Sequence, residues 1–241
     1  MGRKGPYKRV LLKLSGEVLA GSAGSGIDTN VISHVAKLLK PILLQKIQIG
    51  IVIGAGNIFR GGHQKTTINI DRVVGDKMGM LGTLINSMAI QNIFSQNGIS
   101  AVVQSAIEIP RIAEFFDQKK ALNHLEKECV VVFGGGTGNP FFTTDSAAAL
   151  RASEIHADVI LKATKVDGVY DKDPVQYNDA QLYKTISFSD VLQQNLKVMD
   201  SAAISLCKEN NIPIIVYNFY DETALSDILI KGVEKGTYIG E

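Results

Sequence analysis

Lys13 stands in an otherwise apolar run, VLLKL at residues 10–14, directly before Ser15 and Gly16. An ammonium among leucines is costly unless an anion meets it. Two readings follow: a lysine that snorkels from the strand end to solvent, or one aimed at a phosphoryl group in transfer. Asp145 closes the glycine-rich stretch GGGTGNPFFTTD (134–145) and opens a helical pattern, SAAALRASEI. A carboxylate there is favoured by the helix dipole. Placed opposite Lys13, it would also organise that lysine and the reacting phosphates. Arg60, in GAGNIFRGG (54–62), is either a surface arginine or a phosphate clamp. Asp76 follows Arg72 by four residues in RVVGDKMGMLG. It forms an exposed i, i+4 pair worth about 0.3–0.5 kcal/mol, or it accepts hydrogen bonds from sugar hydroxyls. Gly75, Gly79 and Gly82 each cost roughly 1 kcal/mol against alanine inside a helix, which points to a ligand or partner packed closely there.

The elements that must position these groups alternate. Apolar, β-branched runs at 10–14, 47–54, 99–105, 129–133, 158–163 and 212–218 are nearly continuous, the mark of strands covered on both faces. Helical periods lie between them: from an Asp28 N-cap with Pro41 as a kink or break, then over 71–97 closed by Asn97 and Gly98, and over 111–127, 145–156, 200–210 and 222–231. The pattern predicts an α/β fold, a three-layer α/β/α sandwich around a mainly parallel sheet, as one domain over residues 1–241. Ligands bind such sheets outside the carboxyl ends of the strands. Four glycine-rich loops follow strands here: 15–26, 54–62, 134–145 and 164–174. Any one of them is a plain turn as readily as a site. Converging on one edge, their bare N–H groups suit a large polyanion. Neither a Walker A pattern nor a G-x-G-x-x-G opening a helix is present, so phosphate is held some other way.

Composition narrows the partners. With 25 basic against 24 acidic residues, net charge +1, no global field would hold the 241-residue chain on nucleic acid or an anionic membrane. No segment reaches the roughly 20 apolar residues that span a bilayer. Cys129 and Cys207 form no metal or disulfide pattern and read as small buried groups in a reducing cytoplasm. No dedicated metal site is expected. His34, His63, His124 and His156 read as surface or structural groups.

Together KLSGE, GAGNIFRG, RVVGDKMGML, GTGNPFFTTDSAA, LKATKVDGVYDKDP and LKVMD resemble the bacterial uridylate kinases of the amino acid kinase superfamily, from about Tyr7 onward. The resemblance implies the amino acid kinase fold and transfer of a phosphoryl group from Mg-ATP to UMP, giving UDP and ADP in pyrimidine nucleotide biosynthesis. It implies a cytoplasmic homohexamer whose N-terminal part mainly binds UMP and C-terminal part mainly ATP. By the same resemblance Lys13, Asp145 and Arg60 act in catalysis. Ala55, Asp76, Thr137, Gly138, Asn139, Pro140, Phe141, Phe142, Thr143 and Thr144 hold UMP, with Asp76 reading the ribose. Lys13, Leu14, Ser15, Gly16, Gly56, Arg60, Thr164, Tyr170 and Asp173 hold ATP. Gly21, Ser22, Ala23, Gly24, Ser25 and Gly26 belong to a segment linked to activation by GTP, and UTP inhibits. Mg²⁺ comes with ATP, held mainly by its phosphates and water. One residue departs from the family pattern: Ala55 stands where a glycine is usual, which would matter at a positive φ or a very close backbone contact. The rival readings are a kinase acting on a carboxylate such as aspartate, acetylglutamate or carbamate, and a nucleotide sensor without turnover.

Overall fold

Each of the six apolar runs becomes a strand. A computed structural model describes residues 7–59 and 70–241. The runs form β1 (Arg9–Leu14), β2 (Gln48–Ile53), β3 (Ala101–Ser105), β5 (Val130–Gly134), β6 (Val159–Thr164) and β8 (Ile214–Asn218). Three short strands join them, β4 (Glu114–Phe115), β7 (Thr185–Ile186) and β9 (Thr237–Ile239). The nine lie in one sheet, ordered β4-β3-β5-β2-β1-β6-β8-β9-β7. Its pairings are parallel except β8 with β9.

The helices are α1 (Gly16–Leu19), α2 (Thr29–Leu44), α3 (Arg72–Gln96), α4 (Gln118–Glu126), α5 (Thr144–Glu154), α6 (Phe188–Gln193), α7 (Ser201–Glu209) and α8 (Ala224–Leu229). Asp28 caps α2 as expected, accepting from Asn30 N–H at 2.9 Å. Pro41 does not break that helix, which continues to Leu44. The helix expected over 111–127 begins only at Gln118, because Glu114 and Phe115 are drawn onto the sheet edge beside β3. Asn97 ends α3, and Gly98 follows at φ 71°, the left-handed turn that glycine makes without strain.

Alternation along each strand sorts the core into two layers. Leu12, Leu14, Ile49, Ile51 and Ile53 pack with Val35 and Leu39 of α2, Leu84 and Phe94 of α3, and Leu225 and Ile228 of α8. Leu11, Val52, Val131, Phe133 and Ile160 face the alanines of α5 together with Phe188 of α6 and Ile204 and Cys207 of α7. The result is the expected three-layer sandwich around a mainly parallel sheet. β5, β2, β1 and β6 stand side by side, so the four glycine-rich loops leave one edge of the sheet. No helix among the described residues is long and apolar enough to cross a membrane.

Helix α3 is divided along its length. Met80, Leu84, Ile90 and Phe94 are buried, whereas Val74, Met78, Leu81, Ile85 and Met88 stay 37–50% exposed. Those five recur at alternating steps of four and three residues, so they line one stripe.

Candidate active site

Strand register places the charged groups. Lys13 and Lys162 are directly paired in the β1–β6 ladder, and residues in register on parallel strands project to the same face. Leu11 and Ile160, two positions earlier, lie in the layer against α5, so both lysines project beneath the start of that helix. Thr143 caps α5 by accepting from the N–H groups of Asp145 and Ser146. Asp145 falls in the first turn, where the dipole favours a carboxylate. Its Oδ1 lies 2.7 Å from Lys13 Nζ and its Oδ2 lies 2.9 Å from Lys162 Nζ. The Lys13, Asp145 and Lys162 side chains are only 11%, 18% and 10% exposed. Lys13 therefore does not snorkel to bulk water.

Two ammonium groups share one carboxylate in a nearly dry place. Burial pushes the Asp145 carboxyl up, but the Lys13 and Lys162 ammonium groups outweigh it and hold it below its ordinary value. Burial and repulsion from Lys13 bring Lys162 down from 10.5 to about 8, against the attraction of Asp145 and Asp200. Lys162 also donates to the Val198 carbonyl. Asp200 caps α7 through Ala203 N–H at 2.8 Å and accepts from the hydroxyls of Thr143 and Ser146. The start of α5 is thereby clamped from the strand below and from the neighbouring helix.

The loops around this group are held by contacts only small residues permit. A Cβ on Gly16 would stand 2.6 Å from Asn57 Oδ1, Gly54 O and Gly56 N, so the first loop lies directly on the second. Asn57 and Asn86, both buried, exchange amide hydrogen bonds of 2.9 and 2.8 Å. Asn86 also donates to Gly54 O at 2.7 Å. Ala55 does not adopt a positive φ. Its methyl enters a notch in α3, since a Cβ on Gly82 would lie 2.9 Å from it. The extra methyl is thus matched by a missing one. In the loop after β5, Gly135, Gly136 and Gly138 take φ of 77°, 60° and 81°, and Gly135 N–H donates to Thr83 Oγ1 at 2.8 Å.

Two clefts open at this edge. The smaller, about 340 Å³, is bounded by Ala55, Gly56, Asp76, Thr137, Asn139, Phe142, Thr143 and Thr144 among others. At its rim Asp76 meets one partner that the spacing suggested and one that it did not. Its Oδ2 lies 3.4 Å from Arg72 Nε and accepts the Phe141 N–H at 2.8 Å. Phe141 takes φ 73°, uncommon for a residue with a side chain, and its ring lies 5.5 Å from the Arg72 guanidinium. The larger cleft, about 630 Å³, is lined by Lys162, Thr164, Tyr170, Asp173, Lys197 and Val198 among others. Thr144 borders one cleft and Lys162 the other, so Asp145 lies at their junction.

Not every expected residue reaches a cleft wall. Gly56, expected on the ATP side, borders the smaller cleft. The Leu14 side chain lies in the core, and Ser15 caps α1 by accepting from Glu17 N–H at 3.3 Å. Residues 21–26 are exposed, and the segment is tied down at its end by Gly26, whose N–H donates to Asn57 O at 2.9 Å. Arg60 lies outside the described residues. His34 and His124 stand within 3.9 and 3.1 Å of Glu222 and Glu114, away from the lysine–aspartate group. Among the described residues no group of three or more His, Cys, Asp or Glu side chains could hold a metal ion. Asp145 and Asp200 are already engaged by lysines and hydroxyls.

A lysine, a carboxylate and a second lysine between two clefts at strand carboxyl ends form a site built for moving charged groups between two ligands. The chain belongs to the amino acid kinase family, whose model matches residues 8–218. Over 223 residues it is 52% identical to the uridylate kinase of Helicobacter hepaticus, covering 92% of this chain and 94% of that one. Its fold is similar to crystal structures of UMP kinase from Bacillus anthracis and from Ureaplasma parvum, each at 39% identity, with TM-scores of 0.93 and 0.90. The first alignment covers 98% of this chain and 96% of its counterpart, the second 97% and 99%. These relatives place it within the uridylate kinase branch of the family, among the phosphotransferases.

Proposed function

We propose that this chain transfers the γ-phosphoryl group of Mg-ATP to UMP, giving UDP and ADP, as a step of pyrimidine nucleotide biosynthesis in the cytoplasm. The observation that carries this reading is the Lys13–Asp145–Lys162 group, held at 2.7 and 2.9 Å between two clefts. UMP takes the smaller cleft, with Asp76 toward the ribose, Gly138 and Asn139 toward the phosphate, and Pro140, Phe141 and Phe142 as an apolar wall. ATP takes the larger one, bordered by Thr164, Tyr170 and Asp173. The backbone of Leu14, Ser15 and Gly16 adjoins its phosphates.

Chemically, a phosphate oxygen of UMP forms a bond to the γ-phosphorus as the bond from that phosphorus to the bridging oxygen of ADP breaks. The acceptor oxygen carries no proton at neutral pH, so no general base is needed. Lys13 offsets the charge spread over the group in transfer, and Asp145 holds it in place. Mg²⁺, carried by the triphosphate, supplies further charge neutralisation. An ADP-release assay over UMP, CMP, AMP, GMP, aspartate, acetylglutamate and carbamate tests the assignment. UMP is the fastest acceptor; faster turnover of any other acceptor overturns it.

Asp76→Asn raises the KM for UMP more than it lowers kcat, since the amide accepts at one position only and keeps its loop contact poorly. Steady-state kinetics with varied UMP read this. Unchanged affinity would return Asp76 to its pairing with Arg72.

GTP activation through residues 21–26 and UTP inhibition complete the proposal, supported by the Gly26–Asn57 hydrogen bond that ties this segment to the loop of the smaller cleft. The assembly is a homohexamer. Pairing the exposed α3 stripe with its counterpart on a second copy gives a two-fold contact, and three such pairs make six. Leu81→Arg places a charge at the centre of the stripe. Light scattering is expected to read a mass well below six copies for this variant; an unchanged mass moves the contact elsewhere.

A further inference from the structure

Helix α3 carries a buried amide that no step of the mechanism uses. Asn86 is fully buried, on a helix whose Leu84 and Ile90 face the core. A carboxamide there is costly unless its donors and its acceptor are all met. The loop after β2 meets them. Asn86 Nδ2 donates to Gly54 O at 2.7 Å and to Asn57 Oδ1 at 2.8 Å, and Asn86 Oδ1 accepts from Asn57 Nδ2 at 2.9 Å. Asn57, itself buried, gives its second amide hydrogen to Gly26 O at 2.7 Å. The pair is saturated, and a saturated buried network is a rigid one.

The segment held in this way serves two loops. Ala55 and Gly56, between Gly54 and Asn57 in the chain, border the smaller cleft. Gly16, in the loop after β1, rests on the same atoms: a Cβ there would stand 2.6 Å from Gly54 O, Gly56 N and Asn57 Oδ1.

We propose that Asn86 is a positioning residue for both nucleotides: its amide fixes residues 54–57 on α3 and, through the Gly54 and Asn57 oxygens, sets where the Gly16 loop comes to rest. The inference rests on the phosphoryl-transfer reading above, in which UMP takes the smaller cleft and the backbone of Ser15 and Gly16 adjoins the phosphates of ATP. One side chain then sets the acceptor's wall against the donor's loop, and a small displacement of either spoils the alignment that transfer needs. A leucine, close to asparagine in size, would fill the space on α3. It could not hold Gly54 O or Asn57.

The test compares wild type, Asn86→Leu and Phe94→Leu by steady-state kinetics with Mg-ATP and UMP and by melting. Phe94 is buried on the same helix and borders neither cleft, so its variant reads what lost stability alone does. Asn86→Leu lowers kcat by about 10²-fold and raises the KM for UMP and for ATP by about fivefold or more. Phe94→Leu lowers Tm and leaves all three constants within about twofold. Should the leucine variant not fold, Asn86→Ser, which leaves room for a water at Gly54 O, takes its place, with smaller changes in the same three constants. A lower Tm with kinetics like those of Phe94→Leu makes Asn86 a structural residue and overturns the inference. A rise in the KM for UMP alone frees the Gly16 loop from Asn86 and overturns the joint role. Both results leave the kinase reading intact. A wild type that transfers phosphoryl to no acceptor overturns both.

Discussion

Asp145→Asn lowers kcat by a factor of about 10² or more, with the fold retained. Asparagine has the size of aspartate, but its carboxamide cannot balance two ammonium groups, and its NH₂ faces one of them as a second donor. Lys13 is then free to turn away from the path of the phosphoryl group. Lys162, already brought down to about 8 by burial and by Lys13, can relieve the lost pairing by shedding its proton. The sign with pH is fixed by Asp145. Its carboxyl lies below the ordinary 3.8 in the folded chain, so its contribution is present above that value and disappears as pH falls through the lower one. Melting curves of wild type and variant therefore converge in acid and separate toward neutrality. Saturating kinetics and melting at several pH values read both effects. An unchanged kcat removes Asp145 from the mechanism.

Much of this was legible in the chain because Lys13 and the four glycine loops are local signals. A lysine inside VLLKL is conspicuous against its neighbours, and parallel strands announce themselves as unbroken apolar runs. Lys162, in VILKAT, carries the same signal. Its meaning depends on register with β1, which no local spacing encodes. Asp200 falls at the start of the helical period expected over 200–210 and caps α7; its bonds to Thr143 and Ser146 join residues more than fifty positions apart. β4, β7 and β9 span two or three residues each, too few to show a period. Their existence is settled by the edges they pair with. The segment 111–117 likewise carries helix-forming residues, yet the free edge of β3 outweighs that propensity.

The contact between Ala55 and Gly82 illustrates a further limit. From the sequence, Ala55 is a departure whose consequence hinges on backbone conformation, and Gly82 is a weak point in a helix. The structure shows one effect rather than two: the methyl on the loop fills the space the glycine leaves on α3. Helix propensity of roughly 1 kcal/mol is given up there for a close approach between the helix and the loop that borders the smaller cleft.

Lys13→Met separates stability from catalysis most sharply. Methionine matches the length of the lysine stem and the apolar character of Leu12 and Leu14, and replacing a buried ammonium by such a side chain is often neutral or stabilising. Asp145 keeps Lys162 at 2.9 Å, so no carboxylate is left uncompensated. The Tm therefore holds or rises. The rate does not: losing this cation beside Asp145 lowers kcat by about 10³-fold, the scale seen when one preorganised donor to developing charge is removed. Lys13 borders neither cleft, so the KM for each nucleotide shifts far less than kcat. A fall in Tm together with a modest change in rate would make Lys13 a structural partner of Asp145. A stable variant that turns over at about a thousandth of the wild-type rate identifies a cation kept in the core of a strand for what it does to phosphate, at the expense of what it does to the fold.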